Sequence, residues 1–285
     1  MIYQVLLDHK ICNTDSIRLF QVGIRDDPNA CVYKCKNSGV YFLLGETEKP
    51  QTKPASLETT LRDDVRRKEQ YIQHIGDNRW LDFGTGNGGI LKQAIRKPGY
   101  TVAIEKQPAV CTQLKAEGHQ VFTSLDVCPE KDFRYITMFH VLEHLDDPIE
   151  ILKQIKDCMS PEGTIIIEVP NADDILLSFY ESEAFKRFNF WSEHKMVHTR
   201  KSLMRFLELS GFNHIKIYGV QRYPFINHAY WLAKGKPNGH KEWAGLFDTK
   251  LEEVYQNTLK NMGKTDTLIA MAQKPKETTL IGKRK

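Results

Sequence analysis

The chain has 285 residues, 41% of them hydrophobic and 27% charged, with a formal net charge of +4. That composition fits a soluble globular protein, and so small a positive excess argues against a nucleic-acid-binding surface. No run approaches the ~20 apolar residues of a membrane helix, and MIYQVLLDHK lacks the basic start and apolar core of a signal peptide, so a cytoplasmic location is expected.

The length suits one α/β domain with extensions. Residues 1–60 read as a separate N-terminal part. In CVYKCKNSGVYFLL, aromatic and β-branched residues flank Asn37-Ser38-Gly39, the pattern of a β-hairpin. GETEKPQTKPASLETT is polar, holds two prolines and reads as a linker. The cysteines, Cys12, Cys31, Cys35, Cys111, Cys128 and Cys158, are scattered as reduced thiols are. Cys12 with Cys31 and Cys35 lacks a clear fourth ligand for zinc.

LRDDVRRKEQYIQHI is a charged amphipathic helix leading into the first core strand, RWLDF. A helix, ILKQAIRK, is stopped by Pro98-Gly99. YTVAIE is the second strand, PAVCTQLKAE a helix stopped by Gly118, and HQVFTSL and RYITMFH are strands three and four. The next helix has Asp147 as N-cap, Pro148 at the first helical position and Glu150 two residues later. GTIIIEVP is a near-continuous apolar run, as a buried parallel strand needs. This alternation implies a doubly wound sheet. An aromatic- and histidine-rich stretch follows, then the helix RKSLMRFLELS, strand six (FNHIKIYGVQRY), an insertion with a long helix, and a last strand, TDTLIAMAQK. The expected division is 1–60 hairpin and linker, 61–223 core, 224–264 helical insertion, and 265–285 last strand with the basic tail GKRK.

LDFGTGNGG, at 81–89, is a strand entering a glycine turn ahead of a helix. Gly84, Gly86 and Gly89 satisfy G-x-G-x-x-G, a dinucleotide spacing. Asp82, Gly84, Gly86 and Gly88 satisfy D-x-G-x-G-x-G, the spacing at the S-adenosylmethionine (SAM) site of methyltransferases. An acid about 20 residues on, Glu105, suits ribose hydroxyls in either reading. Asp82 favours SAM, because a carboxylate there can reach an ammonium but would repel a pyrophosphate at the helix N-terminus.

Together LDFGTGNGG, AIE, FHVLEHLDDP, GTIIIEVPN and EHKMVHTRKSLMRFLELSGF resemble the class I SAM-dependent methyltransferases, in the small-molecule branch with ubiquinone-biosynthesis and sugar methyltransferases. The resemblance covers roughly residues 60–220 and the final strand. It implies a Rossmann-like seven-stranded sheet with helices on both faces and the last strand antiparallel. The hairpin and the 224–264 insertion are similar to those of capsule and surface-polysaccharide methyltransferases.

The resemblance places SAM against Asp82, Phe83, Gly84, Thr85, Gly86 and Gly88, its ribose on Glu105, its adenine near Leu125 and Asp126, and its methyl beside Phe139 and His140. Arg66 or Arg67 is a candidate for its carboxylate. Histidine suits removal of an acceptor proton, and His140, His144, His194 and His198 fall in the segments expected to face the acceptor. His140, His144 and His194 are the catalytic candidates. Tyr223, Asn227, His228, Tyr230 and Trp231 mix stacking surface with hydrogen-bonding groups; the first four are expected to bind a polar, ring-bearing acceptor such as a sugar- or nucleotide-linked intermediate. His140, Glu143 and His144, with His194, resemble the metal set of small-RNA 2′-O-methyltransferases, whose motif has a glutamate where His140 stands. The same HVLEH string occurs in metal-free relatives, so no metal is expected. The sequence leaves three other functions: RNA 2′-O-methylation with a divalent metal, a non-catalytic SAM-binding partner subunit, and an NAD-dependent oxidoreductase.

Overall fold

The computed structural model describes residues 2–45, 57–94 and 100–276. Most of the expected linker, the Pro98-Gly99 stop and the tail GKRK lie outside the described residues. The chain opens with helix α1 (Ile2–Asp8) and strands β1 (Ile17–Val22), β2 (Cys31–Cys35) and β3 (Tyr41–Leu44). Helix α2 (Leu57–Arg67) continues through a π-helical turn at Lys68–Ile72 into α3 (Gln73–Ile75). Then come β4 (Trp80–Phe83), α4 (Gly89–Gln93), β5 (Thr101–Ile104), α5 (Pro108–Ala116), β6 (Gln120–Phe122), β7 (Phe133–Phe139), α6 (Pro148–Asp157) and β8 (Met159–Pro170). Helices α7 (Ile175–Ser178) and α8 (Glu183–Asn189), strand β9 (Met196–Val197), α9 (Arg200–Leu209) and β10 (Asn213–Val220) follow. The insertion is α10 (Phe225–Lys234), α11 (Gly239–Glu242) and α12 (Thr249–Met262), and β11 (Thr267–Gln273) is the last strand.

The central sheet has seven strands in the order β10-β11-β8-β7-β4-β5-β6. From β8 to β6 neighbouring strands are parallel, and β11 runs antiparallel to both β8 and β10. Side chains alternate across a strand, and β8 uses both faces. Ile165, Ile167 and Val169 pack with Ile149 and Leu152 of α6 and Leu203 and Phe206 of α9. Ile166 packs on the other face with Tyr71, Trp80, Ile90 and Leu114. That two-sided burial is why this strand reads as a continuous apolar run. Asp147 caps α6 as expected, its Oδ1 accepting from the Glu150 amide at 3.0 Å. No helix among the described residues is long and apolar enough to cross a membrane.

Two boundaries differ from the sequence reading. Residues Leu57–Thr60, read as linker, already belong to α2. The N-terminal part is also no independent unit. β1, β2 and β3 form an antiparallel sheet whose fourth strand, β9, comes from the segment between β8 and α9. Ile2, Leu6, Val40 and Phe42 lie in the same apolar cluster as the core residues of α6 and α9. The physical reason is apolar area: a three-stranded sheet this small cannot bury both faces by itself.

Cys12 and Cys35 meet, their thiols hydrogen-bonded to one another, but among the described residues Cys31 does not join them in a three-ligand cluster. Cys31 starts β2 and Cys35 ends it. Cys12 and Cys35 are both buried and also lie beside serines, with Cys12 Sγ 3.7 Å from Ser38 Oγ and Cys35 Sγ 3.3 Å from Ser16 Oγ. All six cysteines are free thiols.

Candidate active site

The glycine turn joins β4 to α4 at the carboxyl edge of the sheet, where open α/β sheets bind ligands. Gly84, Gly86 and Gly88 have φ of +78°, +55° and +72°, a region that glycine enters without steric cost. Their surroundings differ. A Cβ on Gly84 would stand 2.3 Å from Val141 Cγ2, and one on Gly88 2.5 Å from Leu114 Cδ2. A Cβ on Gly86 would meet nothing within 4 Å. Two glycines therefore let the protein pack on itself, and the third leaves backbone open to a ligand.

Glu105 follows β5 and is 5% exposed. Its Oε2 accepts from the Gly86 amide at 2.9 Å and its Oε1 from the Gln107 amide at 2.9 Å. Each oxygen keeps a second lone pair, so the carboxylate can brace the turn and still receive ligand hydroxyls. Asp82 behaves differently from the expectation. Trp80 Nε1 donates to Thr137 Oγ1 at 2.8 Å, and that hydroxyl donates to Asp82 Oδ1 at 2.6 Å. The carboxylate is 2% exposed, is tied to β7 beneath the turn, and burial pushes its pKa up. Leu125 lies in the apolar core and Asp126 is exposed just after it. Phe139 is stacked on Tyr71, with ring centroids 5.8 Å apart, and lies under the Arg67 guanidinium at 4.6 Å.

At the end of β7, His140 has φ +54°. A non-glycine residue held there carries backbone strain that the surroundings must offset. The Glu168 carbonyl accepts its amide at 2.8 Å. Nδ1 lies 3.1 Å from Oε1 of Glu143, a carboxylate with no exposed surface. Nε2 lies 3.0 Å from Arg222 Nη1 and 3.1 Å from Glu168 Oε1. In the neutral ring Nδ1–H donates to Glu143, leaving the Nε2 lone pair facing Arg222. When protonated, Nε2–H donates to Glu168. Burial and Arg222 push the His140 pKa down, but Glu143 and Glu168 outweigh them and raise it.

Charged side chains that the sequence reading passed over close this site. Glu168, fully buried, accepts from Arg66 at 2.8 Å and from Arg67 at 2.7 Å. Burial alone would raise Glu168, but Arg67, His140 and Arg66 hold it well below the usual carboxylate range. Arg222 pairs through two nitrogens with Asp63. Asp266 accepts from the Arg222 amide at 3.0 Å and the Tyr223 amide at 3.0 Å. The one available signal was Glu168 itself, a single charge inside IIIEVP, since an acid on a buried strand must be paired. Arg66 and Arg67 are thus partners of Glu168, and neither projects freely as a ligand for a cofactor carboxylate.

His144 and His194 lie beside His140 but face another way. His144 Nδ1–H donates to the Glu193 carbonyl at 2.8 Å, and its ring meets those of His194 and Trp191 at 4.9 and 6.1 Å. Burial lowers the His194 pKa to about 3 and the His198 pKa to about 4. Glu143, His144 and His194 each offer a ligand atom, all within 4.8 Å of one another. Burial pushes Glu143 up, but His140 and then His144 and His194 hold it at about 2.

The acceptor residues proposed for the insertion are mostly turned inward. Asn227 Oδ1 accepts from the Gly239 amide at 3.1 Å. His228 lies between Gln221 and Tyr255 at 3.2 and 2.7 Å. Tyr230 packs edge-on to Trp243 at 5.0 Å, and Trp231 on Phe185 and Phe188 at 5.3 and 5.0 Å. The sequence expectation is corrected here: the amphipathic face of α10 is spent on α8, α11 and α12, since short helices need tertiary packing to persist. Tyr223 alone is partly open, with Arg62 4.7 Å above its ring.

A seven-stranded sheet with only its penultimate edge strand reversed, opening a glycine turn at the first parallel strand, is the class I SAM-dependent methyltransferase fold. The chain belongs to the methyltransferase domain family, whose model matches residues 48–217. Its cofactor is SAM, and the open backbone at Gly86 beside the Glu105 carboxylate fits it. The chain is 28% identical over 134 residues to a ubiquinone biosynthesis O-methyltransferase of Actinobacillus pleuropneumoniae, covering 42% of this chain and 56% of that one. It is also 28% identical over 155 residues to an uncharacterized protein of Methanocaldococcus jannaschii, covering 52% and 71%. A SAM-dependent methyltransferase structure from Archaeoglobus fulgidus shares the fold, with a TM-score of 0.50 at 21% identity over 74% of this chain and 94% of that one. This chain thus spans little more than half of the ubiquinone relative.

Proposed function

We propose that the protein methylates a hydroxyl of a small polar acceptor, a sugar or nucleotide-linked intermediate of surface-polysaccharide assembly, with His140 as general base. The observation that carries this is His140 itself. A left-handed backbone aims its ring into the site, and buried Glu143 fixes Nδ1–H. A carboxylate that orients an imidazole in this way leaves Nε2 to take a proton and stabilises the imidazolium that forms. SAM supplies an electrophilic methyl group on a sulfonium. Gly86 lets backbone approach it, and Glu105 receives its ribose hydroxyls. Phe139 and the Arg67 guanidinium above its ring exclude water behind the reacting centre. Arg222 yields its contact with Nε2 to the acceptor hydroxyl. Beside His140 the charged groups that keep the most exposed surface are Arg66 and Arg222, at 18% and 15%; an apolar acceptor would strip water from these charges without replacing its hydrogen bonds, so a polar acceptor fits better. Activity with labelled SAM, screened over free sugars, sugar nucleotides and RNA, tests the reading. Transfer only to RNA rejects it, and SAM binding without transfer to any acceptor favours a partner-subunit role.

One observation favours a second reading, metal-assisted transfer: the ligand atoms gathered by Glu143, His144 and His194. His140 is not among them, because its nitrogens serve Glu143, Glu168 and Arg222. Glu143 Oε1 orients His140, whereas the buried Glu143 Oε2 and His194 Nδ1 have no hydrogen-bond partner; we expect activity to survive exhaustive chelation, because the His140 base needs only the first of these oxygens. Activity lost to a chelator and restored by a divalent ion establishes the metal instead.

A further inference from the structure

We propose that a second cleft, away from the glycine turn, binds a small ligand carrying a diphosphate. It lies between the tip of the β2–β3 hairpin, the N-terminus of α9 and the α12–β11 corner, with a volume of about 720 Å³. That is within the range of roughly 300–1,000 Å³ typical of small-molecule sites. Four cations line it, Lys36, Arg200, Lys201 and Lys264, against one carboxylate, Asp173, so three positive charges are left over.

Among the described residues, none of the four makes an ion pair with a carboxylate. Their contacts are to neutral acceptors: Lys201 donates to the Asn37 carbonyl at 2.6 Å, Lys264 to Ser178 Oγ at 2.8 Å, and Arg200 to the Ile217 carbonyl. Elsewhere basic side chains close to acids do pair, as Arg66, Arg79, Lys92 and Lys186 show. Positive charge concentrated in a concavity focuses its field and recruits anions.

Helix α9 supplies an independent observation. Its first two residues are Arg200 and Lys201, and its first turn holds no acid. Cations at a helix N-terminus oppose the macrodipole. The Thr199 capping box offsets part of this cost, and a bound anion would turn the same charges to advantage. Met204, Met262 and Leu268 give the cleft an apolar wall, which suits a ligand with a ring or alkyl portion beyond the phosphates. The α9 face of the sheet is opposite the face covered by Tyr71 and Ile72, so this site does not depend on the methyltransferase reading.

Calorimetric titration of the full chain with inorganic pyrophosphate, without SAM, tests the proposal. One saturable site is expected, weakened about tenfold or more by Lys36→Ala with Lys201→Ala. Both lysines are exposed, so the double variant should keep the parent's melting temperature. Lys250→Ala, exposed on α12 and outside the cleft, should bind as the parent does. No saturable heat, equal affinity in the double variant, or inorganic phosphate binding as tightly as pyrophosphate would each overturn it. So would binding confined to a single-stranded RNA oligonucleotide.

Discussion

Gly84 and Gly86 are two residues apart and share a left-handed backbone, yet they answer different demands. An alanine at either pays the same left-handed cost, roughly 1–2 kcal/mol. At Gly84 it must also displace Val141. Gly84→Ala should therefore lower the melting temperature more than Gly86→Ala, whereas Gly86→Ala should weaken SAM binding more per degree of melting lost. Paired melting curves and SAM titrations decide this, and equal SAM affinity in Gly86→Ala and the parent would remove Gly86 from the cofactor site. His140 makes a prediction about pH. A base must be neutral, and the pKa of His140 is raised, so turnover should fall as pH drops through that raised value. Glu143→Gln keeps a hydrogen-bond acceptor but removes the charge that raises the pKa. Its acid limb should move to lower pH while kcat falls about tenfold or more. An unmoved limb in the pH–rate profile would assign the titration to another group. The glycine spacing was legible in the sequence because backbone conformation is local. Which glycine stays clear of other side chains was not, because Val141 and Leu114 arrive from other elements.

At the level of elements, α10 shows how an amphipathic pattern can mislead. Its polar residues looked like acceptor ligands, yet His228 is enclosed, with Nε2 3.2 Å from the Gln221 amide nitrogen and Nδ1 2.7 Å from the Tyr255 hydroxyl. Protonating His228 would set an N–H against the Gln221 amide, and burial already lowers its pKa from 6.5 to about 4. A folded-state pKa below the unfolded one contributes stability that is present above about pH 6.5 and is lost as pH falls toward 4. At about 1.4 kcal/mol per unit, a drop from 6.5 to about 4 lets His228 account for at most roughly 3–4 kcal/mol. Denaturation midpoints between pH 7 and 4 should fall less steeply in His228→Gln than in the parent, with SAM affinity at pH 7 unchanged. Parallel slopes would show that His228 does not report on acid stability. The elements themselves were largely readable: the caps of α6, the five parallel strands and the long helix of the insertion follow from period and punctuation. The π-helical turn at Lys68–Ile72 was not, because it interrupts a sequence whose local preferences suit an ordinary helix.

For the whole molecule, the test is whether the N-terminal sheet is an appendage. Deleting residues 2–45 would remove Leu6, Val40 and Phe42 from the cluster that holds Leu203 and Phe206, and would strip β9 of its partner. A core left with that much apolar surface exposed should lose its cooperative melting transition and aggregate. A truncated chain that melts cooperatively and binds SAM with the parent's affinity would show the sheet to be dispensable. The sequence by itself determined the class of fold, the glycine turn after β4 and the acid that follows β5, because strand period, helix caps and glycine spacing are properties of neighbouring residues. Only the tertiary structure decided that Arg66 and Arg67 serve Glu168, that Asp63 holds Arg222, and that Asn227, His228 and Tyr230 are packing. Those pairings join residues a hundred or more positions apart, or depend on which face of a helix finds a partner, and buried charge takes its meaning from what the fold brings beside it.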